Sequence, residues 1–171
     1  QSSSDQNGDT TTYNSLGQKI ETTHSYYEEY DENGNGIGPL MTEVIATYGY
    51  NSYGQLAWQE SKVPDEDGGT WQRMTYVYDG ASLSQIDVTD EGGNLLSVIT
   101  FDIASNGDKI ATTYTIEEGG TSIADGHVSK VTRTSLATGG KSDTYYGPDG
   151  TTVTGTGSYD QHNRLVETRD M

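Results

Sequence analysis

Apolar and polar residues alternate along most of this chain, the period of a strand and not of a helix. Over 41–50, Val44, Ala46, Tyr48 and Tyr50 fall on one face and Ile45, Thr47 and Gly49 on the other. Ile20, Thr22, His24, Tyr26, Glu28 and Tyr30 share a face of a strand expected over 19–30. Leu56 and Trp58 open a return strand that ends near Pro64. Segment 71–78 has bulk on both faces, Met74, Tyr76 and Tyr78 against Trp71 and Val77, which predicts a central strand covered at least partly on both sides. Further runs lie over 83–89, 95–103, 109–116 and 128–136; the most apolar, 95–103, is assigned to the core. The pattern thins afterwards, nearly vanishes over 151–157 and recovers over 159–169, and the stretch between Gly120 and Val128 predicts no element.

The breaks between these runs are turn chemistry. Asn14–Gly17, Asn51–Gly54, Asp79–Ser82, Asp90–Asn94 and Ser105–Asp108 combine Asp or Asn with Gly, and Asn106-Gly107 between two alternating runs is the sharpest hairpin signal. The loop 31–39 carries three Gly and a Pro, and the acidic loop 64–69 is expected at a solvated tip. Short links between successive strands predict an all-β protein, an antiparallel meander of about a dozen strands built as an open twisted sheet or half-barrel. A closed barrel or two-layer sandwich is the alternative. Residues 1–9 read as a flexible tether and 10–171 as a single β-repeat domain.

Composition narrows the picture. The 171 residues hold only 27 Leu, Ile, Val and Phe and a net charge of -17, which alone points toward disorder. Thirteen Tyr, two Trp and 24 Thr, residues suited to a half-buried pleated surface, point back to a folded sheet. Twenty-six acids against nine bases exclude a phosphate-binding surface for nucleic acid or anionic membrane. No apolar run reaches the length of a membrane-spanning helix, and the absence of Cys excludes disulfides and thiolate metal sites. Such a chain is compatible with a lipoprotein whose lipidated residue precedes Gln1.

One unit recurs: an aromatic residue, Asp or Asn, a short turn with Gly, a polar residue, then Leu or Ile. Tyr13–Ile20, Tyr30–Ile37, Tyr50–Leu56 and Tyr159–Leu165 carry it, with looser copies at Tyr78–Ile86 and Phe101–Ile110. This resembles the YD repeat of Rhs-type bacterial proteins over about half the chain. Copies start 17, 20, 28, 23 and 58 residues apart, and Asn163 stands where the last copy should have Gly. The resemblance implies an exported or surface bacterial protein of β-hairpins that contacts glycan or protein, with self-association through sheet edges as a further expectation.

Two groups of residues are candidate sites. Asp31, Asn33 and Asn35, with Gly36 next and the Ile37 carbonyl after it, match the opening of a calcium loop, although position 12 is Thr42 and no helix flanks it. A Gly-Asn hairpin turn is the simpler account. Tyr26, Tyr30, Trp58 and Trp71 are candidates for stacking on sugars or anchoring a partner, against the alternative that they form cross-strand pairs replacing aliphatic core. His24, His127 and His162 are scattered, and neither HExxH nor GxSxG occurs, so no catalytic residue is assigned. The expected role is a non-catalytic binding or display module; a structural scaffold segment and a glycan-acting enzyme with paired carboxylates are the alternatives.

Overall fold

The computed structural model of the chain describes residues 2–4 (backbone), 8–63 and 69–171. Of the acidic loop expected at a tip over 64–69, residues 64–68 therefore lie outside the described residues. The chain divides into two compact units, 1–73 and 74–171. Fifteen strands and one turn of 3-10 helix, Ile123–Asp125, make up the regular structure of the described residues, and none of its helices is long and apolar enough to cross a membrane. The fold is the all-β antiparallel meander that the alternating pattern predicts.

Unit 1 contains β1 (Ser2–Ser4), β2 (Asp9–Tyr13), β3 (Lys19–Tyr26), β4 (Glu29–Tyr30), β5 (Gly36–Ile37), β6 (Met41–Tyr50) and β7 (Leu56–Val63). The strands hydrogen-bond in the order β1-β2-β3-β6-β7, and β4 and β5 form a separate ribbon. Within the segment expected as a tether, Ser2–Ser4 pair with Thr10–Thr12. The strand expected over 19–30 stops at Tyr26, because β3 takes β6 as its partner with Tyr26 opposite Met41. The chain between them folds on itself, with Glu29 opposite Ile37 and Tyr30 opposite Gly36.

The next strand, β8 (Thr70–Asp79), carries the chain from one unit into the other. Trp71 on one face and Met74, Tyr76 and Tyr78 on the other are half-buried while Val77 is 42% exposed, so the strand is partly covered on both faces, as its bulk predicts. Unit 2 continues with β9 (Ser82–Asp90), β10 (Leu95–Ile103), β11 (Lys109–Ile116), β12 (Gly126–Thr134), β13 (Lys141–Tyr146), β14 (Val153–Tyr159) and β15 (Leu165–Asp170), paired in sequence order. Strand order is linear in each unit, so neither sheet closes into a barrel.

Burial is sparse, as 27 large aliphatic and Phe residues require. Among the described residues the buried apolar set is Ala46 in unit 1 and Val88, Val98 and Ile116 in unit 2. Val98, 2% exposed, lies in the apolar strand assigned to the core and shares a cavity with the 3-10 turn at Ile123, which the sequence pattern left unassigned.

Six turns share one construction. In the turn of Asn51, its N–H donates to the Gln55 carbonyl at 2.9 Å and the Gly54 N–H donates to the Asn51 carbonyl at 3.0 Å. The Asn51 side-chain oxygen accepts from the N–H of Tyr53 and of Gln55, each at 3.0 Å, and its amide donates to the Gln55 side chain at 2.8 Å. The same backbone pair recurs at Asn14, Asp31, Asp90, Ala104 and Asp160. The fourth residue has positive φ each time: Gly17, Gly34, Gly54, Gly93, Gly107 and, at 61°, Asn163. The residue before each turn pairs with the one after it, as in Tyr13–Lys19, Tyr50–Leu56, Thr89–Leu95, Ile103–Lys109 and Tyr159–Leu165. This is a hairpin in which a type I turn ends on a left-handed residue. The looser copies read from sequence differ: the 79–82 connection is a two-residue link, and the 104–108 turn has Ile103 in the aromatic position, not Phe101.

Neighbouring turns are also clasped to each other. The Gln18 side-chain amide donates to the Gly54 carbonyl at 3.1 Å in unit 1. In unit 2 the buried Asp108 carboxylate accepts the Leu136 N–H at 3.1 Å.

Candidate functional site

Opposed residues of an antiparallel sheet point to the same face, so the register of unit 2 fixes what lies side by side. Ala111, Thr132, Asp143 and Gly157 are directly opposite one another across β11, β12, β13 and β14. One row along, Lys109, Thr134, Lys141 and Tyr159 are opposed; on the other side lie Lys130, Tyr145 and Gly155. Small residues therefore make a floor that crosses the strands, and long ones make two walls. All three lysines of unit 2, Lys109, Lys130 and Lys141, stand on these walls.

Asp143 is the centre of this trough and is 6% exposed. Its carboxylate accepts from the Thr132 hydroxyl at 2.7 Å, from the Lys130 ammonium at 2.8 Å and from the Tyr145 hydroxyl at 3.3 Å. Burial disfavours its charge, but the Lys130 and Thr132 hydrogen bonds and the Lys130 charge outweigh that and hold it below the usual carboxylate range. Burial likewise works against the Lys130 charge, and Asp143 more than restores it. Lys130 also lies 5.3 Å from the centre of the Tyr145 ring, within cation–π range. The pair is thus ionised on both sides.

The glycines of β14 leave little room for a side chain. A Cβ on Gly157 would sit 3.3 Å from the Tyr159 hydroxyl, and one on Gly155 would sit 3.2 Å from the Arg169 carbonyl. Lys141 donates to the Asn163 side-chain oxygen at 2.9 Å. A cavity of about 360 Å³ is lined by Lys130, Thr132, Lys141, Asp143, Tyr159 and Asn163. Thr132 also lines an adjoining, more apolar cavity of about 480 Å³ over Phe101, Ile103 and Ala111.

The residues singled out from sequence lie elsewhere, in unit 1. Asp31 is hydrogen-bonded within its own turn: its Oδ1 accepts from the N–H of Asn33 and Asn35, and its Oδ2 from the Asn35 side-chain amide at 2.9 Å. The Asn35 hydrogen bonds, side chain first, hold Asp31 below the normal carboxylate range. Asn35 thus presents its side-chain donor to the carboxylate. Asn14 and Asn51 form the same turn without a carboxylate, and the Ile37 strand pairs with β4. Among the described residues no three His, Asp or Glu side chains gather as metal ligands.

Tyr26 is half-buried and stacks on His24, centroids 5.9 Å apart, while the His24 Nδ1 is 2.6 Å from Asp9. Tyr30 is 57% exposed and meets Tyr27 edge-on at 6.2 Å. Trp58 lies over Gly49, where a Cβ would collide with its ring, and the Arg73 guanidinium sits 4.7 Å above it. Trp71 is half-buried. No ring contact among the described residues joins these four rings to one another.

The trough lies where the apolar pattern fades, which is why apolar periodicity passes over it. A different alternation marks it: Lys141, Asp143 and Tyr145 on one strand, Gly155, Gly157 and Tyr159 on the next. Fold and site together define an all-β hairpin protein with a polar trough across the face of its second unit. No protein-family model matches the chain, and no curated protein matches it. Solved structures that match include one described as a porin-like protein from Bacteroides uniformis, 14% identical over 94% of this chain and 86% of that chain, with a TM-score of 0.31. A likeness at that score carries no argument.

Proposed function

We propose that this protein is a non-catalytic binding module of an exported bacterial protein, and that the trough of unit 2 holds a saccharide. The observation that carries the reading is the floor of Ala111, Thr132, Asp143 and Gly157 between walls of Lys and Tyr. Backbone groups at the face of a sheet are already used in its ladders, so an incoming peptide backbone has nothing to pair with there. Recognition falls to side chains. Phenol rings beside ammonium, hydroxyl and amide groups offer a flat apolar surface next to donors and acceptors, the two features a sugar ring presents. Asp143, kept ionised by Lys130, suits holding that lysine in place and not proton donation. The likeness of the turns to YD repeats supports export and a cell-surface setting.

Glycan arrays followed by titration calorimetry test the reading. Tyr159→Ala and Lys141→Ala are expected to weaken a saccharide hit about tenfold each, the loss of one stacked ring or one charged hydrogen bond, with circular dichroism unchanged. An array with no hit, or a hit indifferent to both substitutions, overturns the saccharide assignment.

A further inference from the structure

Two of the six bases of unit 2 are set apart from the rest. Lys130, Arg133, Arg164 and Arg169 each form an ion pair with an Asp or Glu. Lys109 and Lys141 form none among the described residues, in a chain where acids outnumber bases 26 to nine. The Lys141 ammonium donates to a neutral oxygen, that of the Asn163 side chain, and keeps two further N–H donors.

The register brings these two lysines to one row of the trough. Thr134 lies opposite Lys109 on one side and Lys141 on the other, and Tyr159 follows Lys141. Two strand spacings, about 10 Å, separate the lysine backbones, so the two stems flank Thr134. Lys109 lines the apolar cavity of about 480 Å³ and Lys141 the polar one of about 360 Å³, and Thr132 lines both. The acids that border the row have bases of their own: Asp143 has Lys130, Asp108 has Arg133 and Asp160 has Arg164. Asp170, opposite Gly155, lies two rows away.

We propose, on the saccharide reading of the trough, that the bound sugar is acidic. Lys109 and Lys141 hold its anionic group, a uronate carboxylate or a sulfate ester, above Thr134. Two ammonium groups on one row repel each other, and an anion between them replaces that repulsion with two charge-assisted hydrogen bonds. The Thr134 hydroxyl supplies a further donor, and Tyr159 beside Lys141 offers the sugar ring a face to stack on. The net charge of -17 does not oppose this. At physiological salt, charges beyond about 8 Å are screened, so the unpaired lysines of the row set what it attracts.

A glycan array carrying neutral, uronate-bearing and sulfated saccharides tests this, followed by calorimetry on the full chain. Galacturonate oligomers are compared with their methyl esters, and sulfated galactan oligomers with their desulfated forms. The acidic form is expected to bind about tenfold more tightly than its neutral counterpart, the gain of charged over neutral hydrogen bonds. A preference in one comparison alone assigns the carboxylate or the sulfate ester; in both, it assigns the charge that they share. Lys109→Gln is expected to abolish most of the preference, and Lys109→Arg, which keeps the charge, to retain it. Tyr159→Ala should weaken acidic and neutral forms alike and leave the preference standing. A misfolded variant loses both forms together and cannot mimic that split. Neutral hits alone, a wild type without the preference, or a preference that survives Lys109→Gln would each overturn the acidic assignment and leave the trough reading intact. An array with no hit overturns the trough reading, and the acidic assignment with it.

Discussion

The two units fold with the same turn and stake it on different atoms. In unit 1 the Asn14 and Asn51 turns are organised by neutral amides, and Asp31 is the acidic exception. In unit 2 the work falls on carboxylates: Asp90, Asp125, Asp149 and Asp160 organise turns, Asp108 clasps a neighbouring turn, and Asp143 anchors the trough. Overall charge does not separate the units. Unit 1 has twelve acids and three bases, net -9, and unit 2 has fourteen and six, net -8. What differs is how many acids are wired into backbone N–H groups. An amide and a carboxylate accept the same hydrogen bonds, but only the carboxylate can lose that role to a proton.

The largest expected break in this comparison is at Asp143. Asp143→Ala strips Lys130 and Thr132 of their partner on a half-covered face, and is expected to cost about 2–3 kcal/mol. Denaturant unfolding followed by hydrogen exchange would read it, with lost protection centred on β12, β13 and β14 and little change in β2, β3 and β6.

Turn backbone gives a smaller and more even effect. Gly54→Ala forces a side chain into a backbone at φ 77° and is expected to lower stability by about 1 kcal/mol. Asn163→Gly relieves the one non-Gly residue at positive φ among the described residues and should raise stability by a few tenths of a kcal/mol. Opposite trends in the two units would show that the turn is one device, whichever atom organises it.

Acid gives the finest discrimination. Asp90 is held below the usual carboxylate range first by the Asn94 side chain, Asp108 by the Leu136 N–H, Asp125 by the Thr121 N–H, Asp149 by the Thr152 hydroxyl and Asp160 by the Arg164 N–H. A folded pKa below the unfolded one stabilises fully above the unfolded value, about 3.9, and the contribution is lost as pH falls through the folded value. Relief of net negative charge on acidification stabilises both units about equally. Protection of amides should therefore collapse in unit 2 before unit 1 below about pH 4. Asp90→Asn with Asp160→Asn should narrow the gap, and Asn51→Asp should make β6 and β7 acid-sensitive. A gap unmoved by these exchanges would show that the turn acids do not set it.

The fold was legible because strand period and turn chemistry agree from Met41 to Ile116, each Asp or Asn with its Gly marking where the chain reverses. Sequence placed bulk on both faces of Trp71–Tyr78 but could not show that Val77 stays exposed, since bulk on two sides of a strand does not fix how much of it is covered. Nor could it show the end of β3 at Tyr26, which depends on β6 arriving opposite Met41. The trough was hidden for a physical reason. Its floor needs small residues and its centre a salt bridge, so Gly155, Gly157, Asp143 and Lys130 lower the apolar signal that strand reading relies on. Asp31 attracted notice because calcium loops and Asx turns spend the same oxygens at the same spacing.

Pairing in sequence order has a kinetic side. Except for β3 with β6, the registered pairs join strands that follow one another in the chain, across links short enough to close quickly. Loop closure is then cheap at every step, and a sheet that would fold slowly if its partners were distant can zip from any hairpin outward. Among the described residues the β4–β5 ribbon is the one strand pair that interrupts that route. Because Tyr26 and Met41 already face each other where it leaves and returns, it is the place where this chain can gain or shed length without asking any other strand to re-register.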